Sequence, residues 1–66
     1  MKFRMFTSEK NGRKIAVNID RVLGIEELHD SATLIDVGDH NDLHSTYLVV
    51  SESFDIVFSR LNTIAE

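Results

Sequence analysis

One amphipathic stripe constrains the fold more than any other feature of this chain. Phe54, Val57, Phe58, Leu61, Ile64 and Ala65 recur at spacings of three and four, the period of a helix with a single apolar face. Ser51 stands where an N-cap would satisfy the first free amides. Glu52 and Asp55 suit the positive end of the helix dipole, and Arg60 suits the other end. Such a helix is expected to lie across one face of an antiparallel sheet and to supply most of the core. With 66 residues in all, the chain is sized for one domain spanning 1–66. The expected class is α+β: an antiparallel meander of four to five strands in one sheet, with the C-terminal helix packed on one face.

The strands announce themselves by alternation and by their turns. Met1, Phe3 and Met5 alternate with Lys2 and Arg4, and Asn11-Gly12 follows as a hairpin signal. Residues 2–8 and 13–18 are therefore expected to pair, joined by a type I′ turn, with Ile15 and Val17 on one face. Residues 19–28 admit two readings. A turn at Asn18-Ile19-Asp20 followed by a strand over 22–27 continues the meander, whereas Ile19, Val22, Leu23 and Ile25 also satisfy a helical spacing. His29-Asp30-Ser31 reads as a turn, and residues 32–50 as a second hairpin. Its apolar run Tyr47-Leu48-Val49-Val50 suggests a central strand buried on both faces. Phe3, Phe6, Tyr47, Phe54 and Phe58 are mostly assigned to the core.

Charge divides along the chain. Residues 1–21 carry six basic side chains against two acidic ones, a net of +4, while residues 22–66 carry one against nine, a net of −8. Such a basic edge on an acidic body steers charged partners or docks on another copy. The chain has no Cys, which excludes disulfides, thiolate metal sites and a cysteine nucleophile, and points to a reducing, cytoplasmic compartment. No apolar run is long enough for a membrane span, and the charged first twenty residues do not pattern as a secretion signal.

Chemistry-bearing residues are few. Asp36, Asp39, His40, Asp42 and His44 concentrate metal-capable side chains in a polar loop, but the calcium-loop spacing is absent and two loop histidines have no fixed separation. Ser45, His44 and Asp42 are strand neighbours that point to opposite faces and make no relay. His29 sits beside Glu26, Glu27 and Asp30 as a turn histidine. With no Gly-rich phosphate loop and no carboxylate pair at an acid/base spacing, the expectation is no enzyme, no catalytic residue, no metal and no cofactor.

Protein interaction remains as the leading expectation. A small regulator or inhibitor would contact a larger protein through Asp36, Asp39 and Asp42 together with an apolar patch of Leu48, Val50 and Ile56, to which Leu34 also contributes; self-association as a homodimer would add burial to so small a core. Nucleic-acid binding through Lys2, Arg4, Lys10, Arg13 and Lys14 on the first hairpin is the alternative. A third reading takes Asp30, Asp36, Asp39, Asp42 and Glu52 as an acidic face that imitates nucleic acid and blocks a basic groove.

Over residues 11–60 the order Asn11-Gly12, Val17-Asn18-Ile19-Asp20, Ile25-Glu26, Ala32-Thr33-Leu34, Gly38, Tyr47-Leu48-Val49 and Ser51-Glu52-Ser53 resembles the small flagellar and swarming-motility proteins typified by FlbD, and similar short bacterial and phage proteins. That resemblance implies a non-enzymatic, β-rich protein with a C-terminal helix, acting through protein contacts. A fainter similarity, in the Asn/Asp turn before an Ile-Glu strand and in the Tyr-bearing strand, runs to the β-rich DNA-binding domain of LytR-type response regulators.

Overall fold

The computed structural model describes residues 2–38 and 45–62. Among the described residues are β1 (Phe3–Thr7), β2 (Lys14–Asn18), a 3-10 turn (Ile19–Arg21), β3 (Val22–His29), β4 (Ala32–Gly38), β5 (Ser45–Val50) and α1 (Phe54–Asn62). The α+β class and the antiparallel pairing agree with the sequence. The single meander does not, because β1 and β2 form one two-stranded sheet while β3, β4 and β5 form another, with β4 in the middle. Residues 19–28 resolve as a 3-10 turn and a strand, with Asn18 Oδ1 accepting from the Asp20 amide at 3.0 Å.

The first hairpin departs from the type I′ expectation. Gly12 has φ 73°, but Asn11 does not share a positive φ, so the two-residue turn that needs both is not formed. Instead a longer loop closes between Ser8 and Arg13, whose backbones bond at 2.7 Å, with the Gly12 amide donating to Ser8 O at 2.9 Å. The Asn11 side chain accepts from the Arg13 amide at 3.0 Å, which spends it on the loop rather than on a left-handed backbone.

That loop fixes the register, and the register decides which side of β1 is buried. Arg4 lies opposite Val17 and Phe6 opposite Ile15, on the face that meets the core; Phe3, Met5 and Thr7 lie opposite Asn18, Ala16 and Lys14 on the outer face. Phe6 and Val17 are buried, whereas Phe3 and Met5 are about half exposed. Phe3 and Met5, the described members of that alternation, therefore mark the outer side of the hairpin. Arg4 is half-buried on that face, and its head reaches polar partners: Nε donates to Arg60 O at 3.1 Å and Nη1 to Phe3 O at 3.1 Å.

The two sheets meet at a corner. The Glu9 amide donates to Val49 O at 3.0 Å and the Ser51 amide to Thr7 O at 2.8 Å, around a bridge between Ser8 and Val50. Beyond this corner no further strand among the described residues pairs with that edge of β1, and side chains complete it. Glu52 Oε1 accepts from the Thr7 amide at 3.0 Å, and Arg60 Nη1 donates to Met5 O at 2.9 Å. The two side chains also approach each other at 3.5 Å, and the Arg60 guanidinium lies 5.7 Å from the centre of the Phe6 ring. An acid and a base thus satisfy the backbone of β1 where a neighbouring strand would have done so.

Phe6, Val17, Ile35, Val50 and Val57 form the core, with Ile15, Val22, Ile25, Val37, Leu48 and Leu61 packed around them. Thr33 is the buried polar residue, and its Oγ1 donates to Glu52 O at 2.9 Å. The helix contributes Val57 from its centre, while Phe58 is exposed and stacks on Phe54, with ring centres 6.1 Å apart. Its cap is Ser53 rather than Ser51: Ser53 O accepts from the Val57 amide at 3.0 Å and Ser53 Oγ from the Ile56 amide at 3.5 Å. Ser51 is occupied with the corner. The expected stripe positions Ile64 and Ala65 lie outside the described residues.

Candidate protein-interaction surface

The helix packs on one face of the three-stranded sheet, and among the described residues no element covers the other. Core-facing residues are Ile25, Thr33, Ile35, Val37, Leu48 and Val50, so the alternate residues of the same strands point outward. Strand pairing arranges them in two cross-strand rows. One is Gly24, Asp36 and Tyr47; the next is Glu26, Leu34 and Val49. Tyr47 is 61% exposed, the most exposed large apolar side chain among the described residues. Leu34 and Val49 are half-buried.

Tyr47 stands as a ridge at two open hollows. Gly24, Ile25, Glu26, Leu34, Asp36 and Tyr47 line a notch of about 250 Å³. Gly24 makes the notch: nothing lies within 4 Å of where its Cβ would stand, directly across the pairing from Asp36. Tyr47 also lines a second hollow of about 460 Å³, together with Leu48 and Val49 of β5 and with Ser8, Glu9, Lys10 and Ile15 of the first hairpin. Asp36 Oδ1 is sheltered from solvent and has no hydrogen-bond partner among the described residues. A carboxylate oxygen in that state is an acceptor awaiting a donor.

The residues expected to form a partner surface separate. Asp36 lies on the outer face, as that reading requires, and Ile56 is exposed on α1. Val50 is fully buried and Leu48 packs against the core, so the far-face patch expected of them is formed by Leu34, Tyr47 and Val49. The reason is parity: β5 is flanked by β4 along one side and touches β1 only at its end, so it is not a central strand and alternates between core and surface. Asp39 and Asp42, with His40 and His44, lie outside the described residues.

The basic set also divides. Lys10, Arg13 and Lys14 gather, exposed, at the tip of the first hairpin, and Lys2 is exposed at the opposite end of β1. Arg4 is committed to Arg60 O and Phe3 O. Of the acidic-face residues, Glu52 is engaged with Thr7 and Arg60, and Asp30 sits in the exposed turn after β3. His29 Nδ1 accepts from the Ser31 amide at 3.4 Å in that turn. No group of three or more metal-capable side chains occurs among the described residues, and none of their helices is long and apolar enough to cross a membrane. No family model, curated protein or solved structure matches the chain.

Gly24, Glu26, Tyr47 and Val49 are the members that sequence reasoning missed. The signal for Tyr47 was its alternation with Leu48 within β5, which puts one of the pair outside once β5 is placed beside β4.

Proposed function

We propose that the protein is a non-catalytic interaction module, a small regulator or inhibitor that engages a larger protein through the outer face of β3, β4 and β5. The observation that carries this reading is the uncovered Tyr47 ridge, with Leu34 and Val49 beside it and the helix on the opposite face. Exposed tyrosines set among apolar neighbours and rimmed by charge are the composition of protein-binding hot spots. The resemblance of residues 11–60 to the small flagellar and swarming-motility proteins carries the same implication of action through protein contacts.

The test is affinity capture from lysate of the source organism, with and without nuclease, using the native chain and Tyr47→Arg. Tyr47 is exposed, so its replacement leaves the core untouched, which circular dichroism verifies. A protein retained after nuclease by the native chain and lost with Tyr47→Arg supports the reading. Capture that vanishes with nuclease, or that is indifferent to Tyr47→Arg, overturns it, and the first of these moves the function to Lys10, Arg13 and Lys14.

A further inference from the structure

We infer that the Gly24–Asp36–Tyr47 notch is a receptor for an arginine side chain on an extended segment of the partner protein, an inference that rests on the interaction face proposed above. Three features of the notch select a planar cation. Glu26 and Asp36 supply two carboxylates to one hollow. Tyr47, beside Asp36 in the same cross-strand row, offers an exposed ring against which a guanidinium stacks. Leu34 forms an apolar floor for the methylene stem. Arginine matches this set better than lysine because its flat, multi-donor head makes directed bonds to carboxylates while lying on an aromatic face.

Two further observations make the notch more than a cluster of acids. The position across from Asp36 is the one in the row without a side chain, so the space beside the carboxylate is open. The sheltered Asp36 Oδ1 lacks a donor, and among the described residues none supplies one. An unmatched acceptor of this kind is costly in the free protein, so a donor brought to Asp36 by a bound guanidinium is favoured. The second hollow, which Tyr47 lines with Ile15, Leu48 and Val49, receives an apolar residue of the same segment. The partner motif is therefore an arginine and an apolar residue that both border Tyr47.

The experiment is a titration of the ¹⁵N-labelled full chain with the capped tripeptide acetyl-Leu-Ser-Arg-amide, followed by amide shifts, beside acetyl-Leu-Ser-Gln-amide as the uncharged control. The arginine peptide is expected to give saturable shifts centred on Gly24, Glu26, Asp36 and Tyr47, with affinity about tenfold above the glutamine peptide, the effect of one charge-assisted contact. Asp36→Asn and, separately, Tyr47→Leu are each expected to weaken it several-fold while the remaining spectrum is unchanged. Equal binding of the two peptides, shifts spread over Glu27 and Asp30 as much as the notch, indifference to Asp36→Asn, or no shift at millimolar peptide overturns the inference. Capture from lysate that depends on Tyr47 but comes with no arginine-peptide shift would reject the notch alone and leave the interaction face standing.

Discussion

Arg60→Ala tests how the helix is fastened to the first hairpin. Arg60 donates to Met5 O at 2.9 Å, approaches Glu52 at 3.5 Å and lies 5.7 Å from the Phe6 ring centre. The carbonyl bond contributes about 1 kcal/mol net, since the freed oxygen regains water. The ion pair contributes at most about 1 kcal/mol, because the Arg60 side chain is 45% exposed and solvent screens it. The ring contact adds roughly 0.5–1 kcal/mol at such a site. These terms share one side chain and are not additive, so the expected loss is about 2 kcal/mol. For a domain of this size that corresponds to roughly a 10 °C fall in Tm. Urea unfolding followed by circular dichroism reads it as a lower midpoint at unchanged slope. Glu52→Gln keeps an oxygen for the Thr7 amide and is expected to cost less, about 0.5 kcal/mol. A loss below about 0.5 kcal/mol for Arg60→Ala would refute the idea that side chains complete the β1 edge.

Three other substitutions probe separate parts of the fold. Val57→Ala empties the one fully buried position of α1 and is expected to cost about 2 kcal/mol, read from the same urea transitions. Thr33→Val keeps the volume but removes the donor to Glu52 O, and a loss of about 1–2 kcal/mol should appear in thermal melts. Gly12→Ala forces a side chain onto a φ of 73° and is expected to cost about 1 kcal/mol, with hydrogen exchange accelerating at the Ser8 and Gly12 amides.

Element type was legible because it follows from local periodicity, and facing was less so because it follows from register. Ile15 and Val17 proclaim the inner side of β2, but β1 offers Phe3 and Met5 on one side and Phe6 with Arg4 on the other. By apolar count alone the wrong side wins. The Ser8–Arg13 closure decides otherwise, and Arg4 becomes acceptable inside only because the helix end presents the Arg60 carbonyl to its guanidinium. The run Tyr47 to Val50 misled in a similar way: four consecutive apolar residues suggest burial on both faces, yet the two-sheet arrangement leaves β5 with one covered face, and Tyr47 emerges. Phe58 satisfies the helical spacing and is nevertheless exposed, its ring spent against Phe54. The notch was illegible because its members come from β3, β4 and β5, and Gly24 contributes by an absence.

In this account the inner face of the three-stranded sheet is spent on stability and the outer face is kept for recognition. Charge follows the same division, with Glu52 and Arg60 holding the fold together while Glu26 and Asp36 stand on the outer face. The most direct test places a photoreactive benzoylphenylalanine at position 47, and in a second chain at Ala16, which is exposed on the outer face of the first hairpin. After irradiation in the source organism, a discrete covalent adduct to another protein is expected from position 47 and none from position 16. Adducts from position 16 with none from position 47 would contradict it and transfer recognition to the hairpin.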